Sequence, residues 1–215
     1  MFKKQEITFY DAVTPVAIVS STNATPIVVT ATAHGFTTGD RVLIYGHVTN
    51  TKANGIYKVT VVTANTFQLQ DEITGANIAG NGIGGATGIV VKAPPVLLVS
   101  DFRSLNFQVF TEGTATTTIK VAGSLGKPST QQSSPRYDYP NIGATVIPAN
   151  PYTFMQIVDL DTNSPLDGAT GIVVAGTDIA KNYEVNINVT KYITVFPITW
   201  SAGKITIKAL VSNLE

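Results

Sequence analysis

The chain contains two histidines, His34 and His47, and no cysteine. Hydrolytic chemistry of the serine type would therefore need one of these two imidazoles beside a serine hydroxyl and a carboxylate. Neither adjoins a Gly-x-Ser-x-Gly elbow. His34 falls in a turn between two apolar runs, where a lone imidazole reads as a structural hydrogen-bonding group. Asp159-Leu160-Asp161-Thr162-Asn163, with Asp167 beyond it, spaces oxygens like the start of a calcium loop. Ser164 stands where that loop needs glycine, and Thr170 where it needs a bidentate glutamate, so an acidic turn after a strand accounts for it. The glycines from Gly80 to Gly88 lack the lysine and the following helix of a phosphate loop, and they read as a flexible loop. Asp71-Glu72 and Asp159/Asp161 read as strand-end solvation, since paired catalytic carboxylates are defined by a spacing in three dimensions. No catalytic, cofactor-binding or metal-ligating residue is predicted, no cofactor is expected, and the chain is not expected to be an enzyme.

The residues around these candidates describe what would have to position them. Of 215 residues, 44% are hydrophobic and only 13% charged. Valine, isoleucine and threonine dominate, and β-branched side chains pack better on a pleated sheet than on a helix. Fourteen basic and fourteen acidic residues balance to zero net charge without a basic cluster, which disfavours a nucleic-acid partner. No apolar run approaches the ~20 residues needed to cross a bilayer as a helix. Met1 to Glu6 leads into alternating residues instead of a leader's apolar stretch. A soluble product, free of disulfides and folded in a reducing cytoplasm, is expected.

The predicted fold class is all-β: a small β-barrel domain followed by an antiparallel β-sandwich domain. Residues 1–24 read as an N-terminal arm or edge strand. Residues 25–93 read as the barrel, with strands over 27–32, 41–45, 56–62, 66–70 and 89–92 and turns at His34-Gly35-Phe36, Thr38-Gly39-Asp40, Asn54-Gly55 and Ala64-Asn65. Pro94-Pro95 marks a boundary, because consecutive prolines end a ladder. Residues 96–215 alternate apolar and polar, as in Tyr183, Val185, Ile187 and Val189 or Ile205, Ile207 and Ala209, which predicts a two-sheet sandwich with Trp200 in its core. A further strand is predicted over 154–160. Gly-Ala-Thr-Gly-Ile-Val-Val occurs at both 85–91 and 168–174, a repeated turn-plus-strand solution.

Alternation lapses over 124–151, an irregular insertion of a length that in a compact β domain usually binds something or moves. Arg136, Tyr137, Tyr139 and Tyr152 in and near it, with Phe2 and Phe9 of the arm, are the interface candidates. Tyrosine and arginine are favoured as interface anchors, although the tyrosines would equally serve to pack the insertion on its own domain.

Thr32-Ala33-His34-Gly35-Phe36-Thr37-Thr38-Gly39-Asp40-Arg41-Val42, then Asn54-Gly55-Ile56-Tyr57-Lys58-Val59 and Asn65-Thr66-Phe67-Gln68-Leu69, resemble the small β-barrel module first known from ubiquitin-activating enzymes and common in phage virion proteins. The resemblance covers about residues 25–92 and includes neither the adenylation domain nor the catalytic cysteine of those enzymes. Ser104–Ser124 and Asn182–Leu210 are similar to the β-sandwich ends of phage proteins that sit on capsids or tails. The resemblance implies a structural component of a tailed bacteriophage particle, assembled in the host cytoplasm. A capsid decoration or cement protein is the first expectation, with the major capsid protein and neighbouring virion proteins as partners and a homo-oligomer, a trimer or another symmetric cluster, as the state. A tail, neck or baseplate component is the second, and a carbohydrate- or receptor-binding virion module the third. No membrane partner is expected.

Overall fold

The structure is a computed structural model and describes residues 3–72, 74–125, 153–188, 190–200 and 202–213. Its regular elements are antiparallel β-strands, apart from one 3-10 turn at Thr51–Ala53. The described residues form two compact units, one of residues 15–93 and one of residues 3–14 and 94–213. The stretch expected as an arm is thus divided at Thr14 and Pro15. Its first part is β1 (Lys4–Val13), which belongs to the second unit because its apolar side chains must be buried somewhere.

Residues 15–93 hold β2 (Val16–Ala17), β3 (Ser20–Ser21), β4 (Val28–Thr30), β5 (Arg41–Tyr45), β6 (Gly55–Thr63), β7 (Thr66–Gln70) and β8 (Ile89–Lys92) in the order β2-β8-β5-β6-β7-β4-β3. The ends of that order, β2 and β3, are two halves of one short stretch of chain. The N–H of Ile18 still donates to Gly88 O at 3.1 Å, and the next, of Val19, donates to Thr30 O at 2.8 Å. The stretch passes from one edge to the other and closes the sheet into the expected barrel, which removes its open edges. Alternate residues fill the interior: Val42 and Ile44, Tyr57 and Val59, Phe67 and Leu69, with Ile18, Ile27, Val29 and Val90.

The second unit adds β9 (Leu97–Leu98), β10 (Ser104–Glu112), β11 (Thr114–Ser124), β12 (Thr153–Phe154), β13 (Ile157–Asp159), β14 (Ser164–Leu166), β15 (Ile172–Thr177), β16 (Ala180–Asn186), β17 (Tyr192–Trp200) and β18 (Lys204–Ser212). Six strands pair as β1-β18-β10-β16-β13-β14, and β12-β11-β17-β9 form a second sheet, with β15 also on β11. Strands adjacent in sequence, such as β10 and β11 or β17 and β18, lie in different sheets and turn the corner at Gly113 and Gly203, with φ of +74° and +82°. Leu105, Phe107, Val109, Tyr183, Val185, Ile205 and Ile207 of one sheet and Ile119, Val121, Ile193 and Val195 of the other are buried. Trp200 fills this core as expected, edge-on to Tyr10 of β1 at 6.3 Å between ring centroids.

Two local features depart from plain alternation. In β1 the register runs Thr8 to Lys208 and then Tyr10 to Ile207, so Phe9 is the extra residue of a bulge and both Phe9 and Tyr10 turn inward. The strand expected over 154–160 is two: β12 pairs in one sheet and β13 in the other. The Met155 N–H donates to Val121 O at 2.9 Å between them, where the chain changes sheets. Both copies of the repeated heptapeptide place a left-handed glycine directly before a strand, Gly88 at +80° before β8 and Gly171 at +82° before β15.

Candidate functional site

Of the interface candidates, Phe2, Arg136, Tyr137, Tyr139 and Tyr152 lie outside the described residues. Phe9 is 5% exposed, a core side chain of β1 and not a free anchor. The site with the geometry closest to chemistry is elsewhere, in the barrel.

Ser21 of β3 and His47 of the β5–β6 connection meet with Oγ and Nε2 2.6 Å apart, the separation of a nucleophile and its base. His47 Nδ1 lies 2.8 Å from Thr87 O, and a carbonyl only accepts, so Nδ1 carries the proton and Nε2 accepts from the Ser21 hydroxyl. The buried Asn50 side chain donates from Nδ2 to Ser21 Oγ at 3.0 Å and to Thr22 O at 3.0 Å, while its Oδ1 accepts the Asn81 N–H at 3.1 Å. Every polar atom of this chain of bonds is satisfied, and Ser21, His47 and Asn50 are at most 2% exposed. A serine–histidine pair so enclosed offers its hydroxyl to no substrate. It joins three separate stretches of the barrel instead.

The third of those stretches is the glycine-rich segment, a loop as its composition predicts and one tied down by backbone hydrogen bonds. Ser21 and Gly84 exchange two backbone hydrogen bonds of 3.0 Å, Ile78 N–H donates to Leu69 O at 3.1 Å, and Gly80 N–H to Ala24 O at 2.9 Å. Gly80, Gly82, Gly84 and Gly88 are there for close approach. A methyl group on Gly84 would overlap His47 Nε2, and one on Gly88 would stand 2.6 Å from Tyr45 O. An uncharged run without periodicity looks the same in sequence whether it is loose or pinned.

The residues that carry the module resemblance also hold the barrel. His34, 5% exposed, accepts the Phe36 N–H on Nδ1 at 3.0 Å and donates from Nε2 to Thr63 O at 3.2 Å, with its ring stacked on Phe36 and edge-on to Phe67. Burial alone would raise the Asp40 carboxyl, but the Thr37 N–H at 2.9 Å and the Lys92 ammonium at 3.4 Å hold it below the ordinary carboxylate range. Asn54 exchanges two hydrogen bonds with the His47 backbone, of 2.9 and 2.8 Å. The Tyr57 hydroxyl donates to Lys52 O at 2.5 Å.

In the sandwich, Asp159 Oδ1 accepts the Asp161 N–H at 2.8 Å, and Asp161 pairs with Lys181 at 2.8 Å, so these oxygens build a turn. Among the described residues no group of three histidines or carboxylates is placed to hold a metal ion. Lys120 is nearly buried, its ammonium 4.2 Å from the centre of the Phe154 ring; desolvation lowers its pKa while Asp167 opposes that shift. The outer face of the six-stranded sheet forms a shallow cleft of about 710 Å³. There Thr8, Lys208, Gln108 and Asn182 stand opposite one another in successive strands. That row is a line of hydrogen-bonding side chains.

The Ser21–His47–Asn50 network escaped the sequence because its members are separated by up to 29 residues and follow no motif. No protein-family model matches the sequence, and no curated protein matches it.

Proposed function

We propose that this chain is a non-enzymatic structural component of a bacteriophage particle, a decoration or cement protein that binds and stabilises the assembled head. The observation that carries the reading is the enclosure of Ser21 and His47: this serine–histidine pair is spent on closing a barrel. Further support comes from the His34-Gly35-Phe36, Gly39-Asp40 and Asn54-Gly55-x-Tyr57 pattern, whose side chains all brace that barrel. Trp200 is 7% exposed, so it does not offer the stacking platform on which a sugar-binding reading would draw. Function then lies in adhesion, and repeated weak attachment to a multi-copy shell would suffice because linked contacts add avidity.

Purified protein incubated with shells lacking it, and separately with isolated tails, tests the assignment by co-sedimentation and electron microscopy. Saturable binding to shells, with added density obeying shell symmetry, is the expected outcome. Binding only to tails or necks would transfer the protein to the tail machinery and overturn the cement reading.

A further inference from the structure

Strand β1 lies at the outer edge of its sheet and pairs with β18 alone, from Lys4 opposite Ser212 to Val13 opposite Ile205. The sheet needs it. β1 contributes Phe9 and Tyr10, both buried, and Tyr10 covers Trp200 edge-on. The covalent tie that keeps β1 in its own copy is slight by comparison. It is a connection of two residues, Thr14 and Pro15, between Val13 and the first residue of β2. The whole of residues 15–93 intervenes in sequence before the chain returns to the unit that β1 completes. The pairing is also interrupted twice near that connection, at Thr8/Tyr10 and Tyr10/Val13, and the second interruption holds Ala12 at a left-handed φ of +49°.

We propose that β1 is an exchangeable strand, inserted beside β18 of a second copy of this chain when copies gather, so that neighbours complete one another's six-stranded sheets. Exchange makes the same hydrogen bonds and buries the same Phe9 and Tyr10, so it alters little except the entropy of association and the strain of the connection. A short, proline-containing hinge, entered from a left-handed Ala12, favours the exchanged form. High local concentration on a repeating surface favours it further. This rests on the reading of the chain as a component present in many copies.

The absence of cysteine from the chain gives a clean test. Thr8 and Lys208 face each other across β1 and β18 and are both exposed, so Thr8→Cys with Lys208→Cys introduces one thiol pair across the pairing. Isotopically light and heavy batches of the full-length double variant are mixed, concentrated and oxidised, then examined by non-reducing electrophoresis and peptide mass spectrometry. Covalent dimers whose 8–208 link joins a light to a heavy chain, increasing with concentration and absent from each single-cysteine variant, are expected. An 8–208 link found only within single chains at every concentration overturns the proposal, as does failure of any such link to form. Glu6→Cys with Leu210→Cys, the next opposed pair with side chains on that face, repeats the measurement should the first variant fold poorly. Shells play no part in this experiment, so failure of exchange is distinguishable from failure to bind a head.

Discussion

Along β18, Ile205, Ile207, Ala209 and Val211 are buried while Lys204 and Lys208 are exposed, and from Lys204 to Val211 each residue's place follows from its parity in the strand. From Gly75 to Gly88 in the barrel there is no parity to follow. That stretch is nevertheless tied to Leu69, Ala24, Ser21 and Asn50, and Gly80, Gly82, Gly84 and Gly88 are fixed by what presses against them. The comparison separates two ways of holding a β chain. A long strand in an open sandwich is held by a repeated apolar face, each residue contributing a little. The closing segment of a small barrel has few residues to bury and is held by particular polar contacts. Damage to the first should be graded, and damage to the second local and abrupt.

The largest effect is expected from Phe67→Ala. Phe67 is fully buried and packs against His34 and Phe36, and removing such a ring costs about 3–5 kcal/mol. Trp200 is the single tryptophan and lies in the sandwich, so its fluorescence in a urea titration reports that unit while hydrogen exchange at β5–β7 reports the barrel. The barrel signal should move to lower urea and the Trp200 transition stay within error. An equal shift of both would show that the two units melt as one.

Gly84→Ala and Gly113→Ala form the next contrast. The added methyl overlaps His47 Nε2 at position 84 and meets nothing within 4 Å at position 113. Overpacking at the first is expected to cost about 1–3 kcal/mol. At the second only the left-handed backbone is penalised, by about 1 kcal/mol. Thermal unfolding of the two variants should rank them in that order, and the reverse ranking would mean that the Gly75–Gly88 stretch is loose after all.

Alkaline pH is expected to weaken the sandwich through a buried phenol. Burial, with added repulsion from Asp159 and Asp161, pushes the Tyr183 phenol from its ordinary 10.0 up to about 12. Its contribution to stability is therefore intact below pH 10.0 and lost as pH rises towards about 12, because the unfolded chain ionises first. Tyr183→Phe should flatten the decline of the Trp200 transition midpoint over that interval. An unchanged slope would assign the decline to other groups. Burial also raises the Tyr45 phenol, so the barrel should follow the same trend.

The smallest effect is expected at Ala33, held at a φ of +50° just before His34. Ala33→Gly relieves about 1 kcal/mol of left-handed strain and loses part of that to the greater freedom of the unfolded chain. A barrel midpoint equal to or slightly above that of the parent, read by hydrogen exchange, is the expected result. A clear fall would show that the methyl group packs usefully.

The sequence by itself determined the class of structure and much of its grain. β5, β7 and β8 begin and end where turn residues and alternation place them, Pro94 marks the return from barrel to sandwich, and Trp200 is a core residue, because each of these depends on near neighbours in the chain. Only the tertiary structure shows that residues 4–13 form the edge strand of the six-stranded sheet, that Phe9 turns inward at a bulge, and that the run from Phe154 changes sheets at Met155. It alone brought Ser21, His47 and Asn50 together and set Gly84 against them. Strand parity is a property of consecutive residues and can be read along the chain. Which distant strand lies alongside, and which polar groups its arrival seals from water, depends on closure in space and leaves no periodic mark.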